Sequence, residues 1–416
     1  MLWIALIGAD RINFLGQHSA FVLTPFLVLT PLVLVTELWR RHKTHSGLTV
    51  PAGAVPFVVT ALALVSISMA SVFVSRDFSS AAPRVVLLCV IISGTLGVSL
   101  VTRDRNDLLE ILAQGGRLGV ALFATFNVAA ILSWLNLIPP QFPNDLGILR
   151  FAPYLYAGII PRLAGIVEDA NRGGLLLLLF AFLIGLGDRN RGRAWRWMSF
   201  AALLLILTLS RSAMLASAGV LSVLAMTRAS FGMPKRFILT ASVLIVAIST
   251  TLLLVPRARE FASIGLSPLV QRLTVAEGSS QDHLHLLQRG VYVGTRSINA
   301  AVTGLGYGSS HTVLQDFFPG NRFGNFHSVY IGMFAEAGIF ALILLLVLIG
   351  VPLISHGQFR PLVAGVALFG VFYGSLAEPA FWFTIVFGWV GLPAINSRPK
   401  ATARPTANAS TAPRNN

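Results

Sequence analysis

What this chain can fold into is limited most by about eleven apolar stretches separated by polar turns: residues 20–38, 51–74, 84–102, 118–138, 174–187, 197–209, 213–227, 237–255, 326–351, 361–377 and 381–396. Roughly 20 apolar residues in a helix cross the ~30 Å hydrocarbon core of a bilayer. A backbone in lipid has to satisfy its own hydrogen bonds, so such runs read as helices. The stretches 174–187 and 197–209 are short and are expected to extend into their flanks or to lie against protein, while residues 1–16 add a short or partial twelfth. The expected fold is an all-α polytopic membrane bundle of about eleven or twelve transmembrane helices, one domain over 1–396. Residues 397–416 are rich in Ala, Pro, Thr, Asn and Arg and lack the apolar side chains to fold, so they read as a disordered tail. Asp10 and Arg11 interrupt the first apolar run and no small-residue cleavage site follows, so the N-terminus does not read as a cleaved signal.

Charge agrees with this reading. Only 11% of residues are charged, against about 25% in soluble domains. The net +15 would suggest a nucleic-acid partner, but the cations sit in short loops between apolar runs, the positive-inside pattern of membrane proteins. Arg40, Arg41 and Lys43, Arg103 and Arg105, Arg189 to Arg196, Arg228, Lys235 and Arg236, and Arg360 fall on one side when spans alternate. The tail's Arg398, Lys400, Arg404 and Arg414 join them, and that side reads as cytoplasmic. The long 256–325 excursion, the 139–172 connection and the Ser210-Arg211-Ser212 turn then share the extracytoplasmic side. The single cysteine, Cys89, lies in an apolar run and reads as a small hydrophobe.

Residues able to carry chemistry gather on that second side. In the 139–172 connection, Arg162 and Arg172 flank the acidic pair Glu168-Asp169, with Asn171 beside them. This is either a fork for an anionic group or a loop in which Asp169 and Asn171 cap the next helix. Arg211 sits between two apolar runs with no room for a loop. An ionisable residue near membrane depth is a functional candidate, or it snorkels from a tight helical hairpin.

Within the excursion, Asp282 to Ala301 reads as an amphipathic helix, with Leu284, Leu287, Val291, Gly294 and Ile298 at three- and four-residue steps and Arg289 and Arg296 on another face. Arg257, Arg259, Arg272 and Arg322 add cations there. The three lysines, Lys43, Lys235 and Lys400, are all on the cytoplasmic side, which leaves arginine, whose planar fork suits phosphate, as the extracytoplasmic cation. Gly304-x-Gly306-x-Gly308 follows no strand and is not a dinucleotide fingerprint; it reads as a turn. His327 opens an apolar helix and is either a base working near neutral pH or a hydrogen-bonded structural histidine. No His-x-Glu-x-x-His or cysteine cluster is present, so neither a metal nor another cofactor is expected.

Three motifs together resemble the bacterial O-antigen ligase and O-antigen polymerase superfamily. Arg162-x-x-Gly165-x-x-Glu168-Asp169-x-Asn171 is similar to its first connection, and Thr208-Leu209-Ser210-Arg211 to its Thr-x-Ser-Arg hairpin. The third runs from Arg289 through the glycine turn to His327-Ser328 and on to Glu336-Ala337-Gly338. The ligase pattern ends in Gly, Thr or Tyr where this chain has Ala341, and ligation and polymerisation both stay open. The resemblance covers roughly residues 150–350.

It implies a multi-pass enzyme of the bacterial inner membrane, with its active site on the periplasmic face. The donor would be an undecaprenyl-pyrophosphate-linked glycan, and the acceptor a glycolipid or a second lipid-linked glycan, without nucleic acid. Carried over by motif, Arg211 and Arg289 bind the pyrophosphate, His327 is the general base, and Arg162 and Asp169 contact the donor or support the site. Glu336 is two and a half turns below His327 and reads as structural. Arg211, Arg289 and His327 are expected to face one cavity. The rival class is a polysaccharide flippase or exporter, which predicts charges in mid-span and pseudo-symmetric halves; the spans here are nearly free of charge.

Overall fold

The computed structural model describes residues 1–16, 22–75, 77–143, 146–156, 160–227, 278–319, 324–355, 357–374 and 376–391. The chain is an all-α polytopic membrane bundle. Helices α2 (Pro25–Lys43), α3 (Ala54–Val72), α4 (Phe78–Thr102), α5 (Leu108–Trp134), α6 (Ala170–Gly187), α7 (Arg191–Leu207) and α8 (Arg211–Thr227) form its first part. Helices α9 (Gly278–Thr295), α10 (Ile298–Thr303) and α11 (Ser310–Phe317) make the excursion, and α12 (Val329–Ile354), α13 (Arg360–Val371) and α14 (Pro379–Val390) close the bundle. Among the described residues five helices, α3, α4, α5, α6 and α12, are long and apolar enough to cross a membrane. The expected span 237–255, Arg257, Arg259, Arg272, Arg322 and the 397–416 tail lie outside the described residues.

Helix α6 begins at Ala170 and α7 at Arg191, so both short stretches extend into their flanks as expected. Several expectations change. The expected helix Asp282–Ala301 is broken at Arg296-Ser297 into α9 and α10, because the Ser297 hydroxyl caps α10 by accepting the Ala300 amide at 3.1 Å. Residues 1–16 do not form a spanning helix: α1 is the single turn Leu2–Ala5, and the chain beyond it packs irregularly, with Ile7, Ala9, Arg11 and Asn13 buried. Asp10 and Arg11 prevent propagation because both are held by partners in other segments. Helix α13 ends at Val371, short of residue 377, because the chain turns at Tyr373-Gly374 to cover His327. Helices α13 and α14 have 12 residues each, about 18 Å, less than a bilayer core. Helix α14 is buried continuously from Pro379 to Phe387 and serves as the central post of the bundle.

The 139–172 connection is not all loop. It folds into two small antiparallel hairpins, β1 (Gln141–Phe142) with β2 (Leu149–Arg150) and β3 (Tyr154–Tyr156) with β4 (Ile160–Arg162). Ile12 bridges to Leu149 and so ties the N-terminal segment to this layer.

Ion pairs mark the two ends of the bundle. At the basic end Arg41 pairs with Asp104 at 3.0 Å, Arg193 with Asp188 at 2.9 Å, Arg105 with Glu37 and Arg117 with Asp188. At the opposite end Arg172 of α6 bridges Asp10 and Glu378. Among the described residues, the loops that carry Arg41, Arg105 and Asp188 thus lie at one end, and Arg172, Asp10 and Glu378 at the other.

The glycine turn fastens the excursion to the bundle. Helix α12 is broken at Gly338, whose φ of 85° belongs to the left-handed region. The carbonyls of Ala335 and Glu336, just before the break, accept the amides of Leu305 (3.0 Å) and Gly306 (2.8 Å). The Glu336 carboxylate accepts the amides of Gly308 (2.9 Å) and Ser310 (3.2 Å), giving this residue the structural role expected of it. Arg84 donates to the Gly308 carbonyl, and Tyr307 donates its amide to Ser71 at 2.9 Å. A methyl group on Gly338 would come within 2.1 Å of the Val302 carbonyl oxygen. Gly338→Ala combines that clash with a disfavoured φ and is expected to cost about 3 kcal/mol or more. Thermal unfolding of purified protein in detergent checks this; an unchanged midpoint would mean the turn can move away.

Candidate functional site

The start of α6 is built by its motif. Gly165 has φ 65°, and a methyl group there would strike the Phe123 ring at 2.1 Å. Its amide donates to Asn127 Oδ1 at 2.8 Å. This places Asp169 as the N-cap of α6, accepting the Asn171 amide at 2.6 Å, so the capping alternative for Asp169 holds. Asn171 is not a cap but the donor of that amide, and its Oδ1 accepts the Ser210 hydroxyl at 2.9 Å, joining the first motif to the second.

The hairpin between α7 and α8 is as tight as the sequence requires. Leu209 takes φ 56° to reverse the chain, an uncommon geometry for a residue with a Cβ. Buried Thr208 and Ser210 hold the reversal: the Ser210 amide donates to Thr208 Oγ1 (3.3 Å), and the Ala213 amide donates to Ser210 Oγ (3.2 Å). Arg211 thereby becomes the first residue of α8, half-buried, at the end of the bundle that holds Asp169. Gly174 of α6 lies against Ala213 and keeps the two helix starts in contact.

His327 sits immediately before Ser328, the N-cap of α12, whose hydroxyl accepts the Ile331 amide at 3.4 Å and donates to the Gly370 carbonyl at 3.3 Å. The histidine also has a left-handed φ, 51°, with its amide donating to Asn325 Oδ1 at 2.8 Å. Burial pushes the imidazole below the ordinary histidine value, and the nearby Asp169 carboxylate pulls it partly back. Gly374 packs on the His327 backbone, where a methyl group would come within 3.0 Å of its nitrogen.

Arg289 approaches from the excursion. Its guanidinium lies over the Phe318 ring, 4.5 Å from the centroid, and Arg296 lies over Phe317 at 4.3 Å. The adjacent Gly290 packs on Ile331 and on Phe326, the residue before His327. Arg162 is buried in β4, three residues before Gly165. Direct contacts thus join the α6 start to the α8 start and the α9 backbone to the mouth of α12, and Asp169 links His327 to the first pair electrostatically. Among the described residues, no three His, Cys, Asp or Glu side chains form a metal site.

Sequence reasoning passed over the ion network beneath this site. Arg172, noticed only as a flank of the acidic pair, bridges Asp10 and Glu378, and Glu378 is 1% exposed as the N-cap of α14. The Glu168 amide donates to Asp10 at 2.9 Å, and its carboxylate pairs with Arg150. Burial and the neighbouring Asp10 push the Glu168 carboxyl upward. Tyr373 is buried beside this network, and burial with Asp169 raises its hydroxyl well above the usual range. A signal for these residues was available: Asp10 and Glu378 are isolated acids in apolar surroundings, which carry a cost unless paired. No family model matches the chain, and no curated protein matches it.

Proposed function

We propose that this chain transfers or polymerises undecaprenyl-pyrophosphate-linked oligosaccharide at the extracytoplasmic face of a bacterial inner membrane. The observation that carries the reading is a shielded imidazole, His327, beside Asp169, at the end of the bundle where Arg211 begins α8 and away from the basic loops. A half-buried imidazole whose surroundings disfavour its charged form suits removal of a proton from an acceptor hydroxyl. As that oxygen bonds to the anomeric carbon, the bond from carbon to the pyrophosphate oxygen breaks, and the lipid pyrophosphate leaves with the electron pair. Arg211 and Arg289 hold its growing charge, and His327 keeps the acceptor's proton until it is lost to water. Each fixed cationic donor of this kind contributes about 10²–10³ in rate.

The test is deletion of the gene, complemented with the wild type, Arg211→Lys or Arg289→Lys, with cell-surface glycans separated on a gel. Lysine keeps the charge but loses the bidentate fork; both variants are expected to weaken surface glycan and accumulate lipid-linked material. Deletion that removes the whole ladder, with lipid-linked chains of normal length accumulating, identifies ligation; surface glycan cut to single repeats identifies polymerisation. An unchanged pattern on deletion would overturn the proposal.

A further inference from the structure

The excursion does not simply stand above the bundle. Helix α9 runs down the side of α12 in the same direction: Gly290 packs on Ile331, Gly294 on Phe334, and the Val302 carbonyl reaches Gly338. The chain then turns back, with Leu305 and Gly306 bonded to the Ala335 and Glu336 carbonyls. The deepest part of the excursion is therefore α10, level with residues 335–338 of α12.

Two rulers give the depth of that level. Helix α12 has 26 residues, about 39 Å, which exceeds a ~30 Å core by ~9 Å. With its Ile354 end at the basic-side boundary, the opposite boundary falls at about residue 335. Helix α3 has 19 residues, about 28 Å, so its two ends mark both boundaries. Its last turn reaches the glycine turn through Ser71, which accepts the Tyr307 amide, and Ser75, three residues past its end, packs on Gly306, which itself bonds Glu336. Both rulers put residues 335–338, and α10 with them, at the edge of the hydrocarbon.

The side chains at this level fit lipid. Ile298 is 83% exposed, the most exposed large apolar side chain among the described residues, and Val302 is 40% exposed. Phe340 and Ile343 of α12, just beyond Gly338, are also exposed, so the apolar surface of the bundle continues onto α10. Just before α10 in the chain, Tyr292 and Arg296 are exposed, the residue types that sit at headgroup level.

We propose that α10 is a membrane anchor, with Ile298 and Val302 inserted among the acyl chains of the leaflet opposite the basic loops and Tyr292 and Arg296 at its headgroups. The proposal rests on the bundle being membrane-embedded and is independent of the transfer chemistry, so each can fail without the other. The test uses full-length protein with Cys89→Ser, which removes the only cysteine, and Ile298→Cys or Val302→Cys labelled with an environment-sensitive nitrobenzoxadiazole probe. Gln315→Cys on α11, an exposed position, is the reference. In phospholipid vesicles carrying nitroxide high on the acyl chain, emission at 298 and 302 is expected to fall about twofold or more relative to plain vesicles. Aqueous iodide is expected to quench position 315 strongly and these two weakly. Strong iodide quenching at 298 and 302 without a nitroxide effect would place α10 in water and overturn the anchor. Protection from both quenchers would overturn it too, showing a protein surface in place of lipid.

Discussion

His327→Ala is expected to cut glycan transfer by a factor of about 10²–10⁴, the range for loss of a positioned general base, with the protein still folded and inserted. The pH dependence is the sharper form of this prediction. The base must be neutral to act, so the rate falls on the acid side as the imidazole takes up a proton. Because burial lowers its pKa from the ordinary 6.5, the acid limb is expected below that value. Asp169 favours the protonated form. Asp169→Asn removes that pull and keeps an N-cap on α6, so the acid limb should move to still lower pH. Initial rates against pH in proteoliposomes decide it. If the limb stays fixed in Asp169→Asn, the carboxylate does not act on the base; if His327→Ala keeps wild-type rates, the histidine is not the base.

Arg172→Ala is expected to be the most damaging stability change at this end of the bundle. Glu378 is fully buried, and Arg172 and Asp10 are each only 17% exposed at the side chain. Removing the cation leaves two carboxylates facing one another with little water, and breaking a buried pair in this way costs about 3–5 kcal/mol. Neutralising both acids as well, with Asp10→Asn and Glu378→Gln, should recover a large part of the loss because no orphaned charge remains. Thermal unfolding in detergent of the single and triple variants measures the difference. Equal losses would show that the arginine acts by packing alone.

The contrast between these residues shows what a sequence of this kind reveals. Arg211 was legible as the start of α8 because two apolar runs leave no loop around it, whereas α9 was legible only as a helix: of the stripe read from the sequence Leu284, Val291 and Ile298 are exposed, and Leu286, Gly290 and Val293 are the buried side. Asp169 was legible as a cap for a local reason, the chain entering a long apolar run just after it, while Asn171, read as a second cap, instead holds Ser210. The Arg172 network has no such local signature: its partners lie 162 and 206 positions away, and only the packing of α6 against α14 and the N-terminal segment brings them together. The break at Gly338 was equally hidden, since it depends on the glycine turn arriving to take the freed carbonyls. The left-handed conformation of Leu209 is likewise imposed by its neighbours, since leucine rarely adopts it. The small β hairpins escaped notice because strands of two or three residues leave no periodic pattern.

The glycine turn also bears on the order in which this protein is assembled. Its grip on Arg84 connects positions 224 apart, and its other half, the carbonyls and carboxylate of Ala335 and Glu336, is synthesised after the turn itself. Until α12 emerges, the amides of residues 305, 306, 308 and 310 lack these partners. Contacts so distant in sequence form late, so Arg289 and His327 come into register only near the end of synthesis, once most of the bundle is already in the bilayer. Truncation before α12 should therefore leave a chain that inserts its early helices and still lacks a closed excursion.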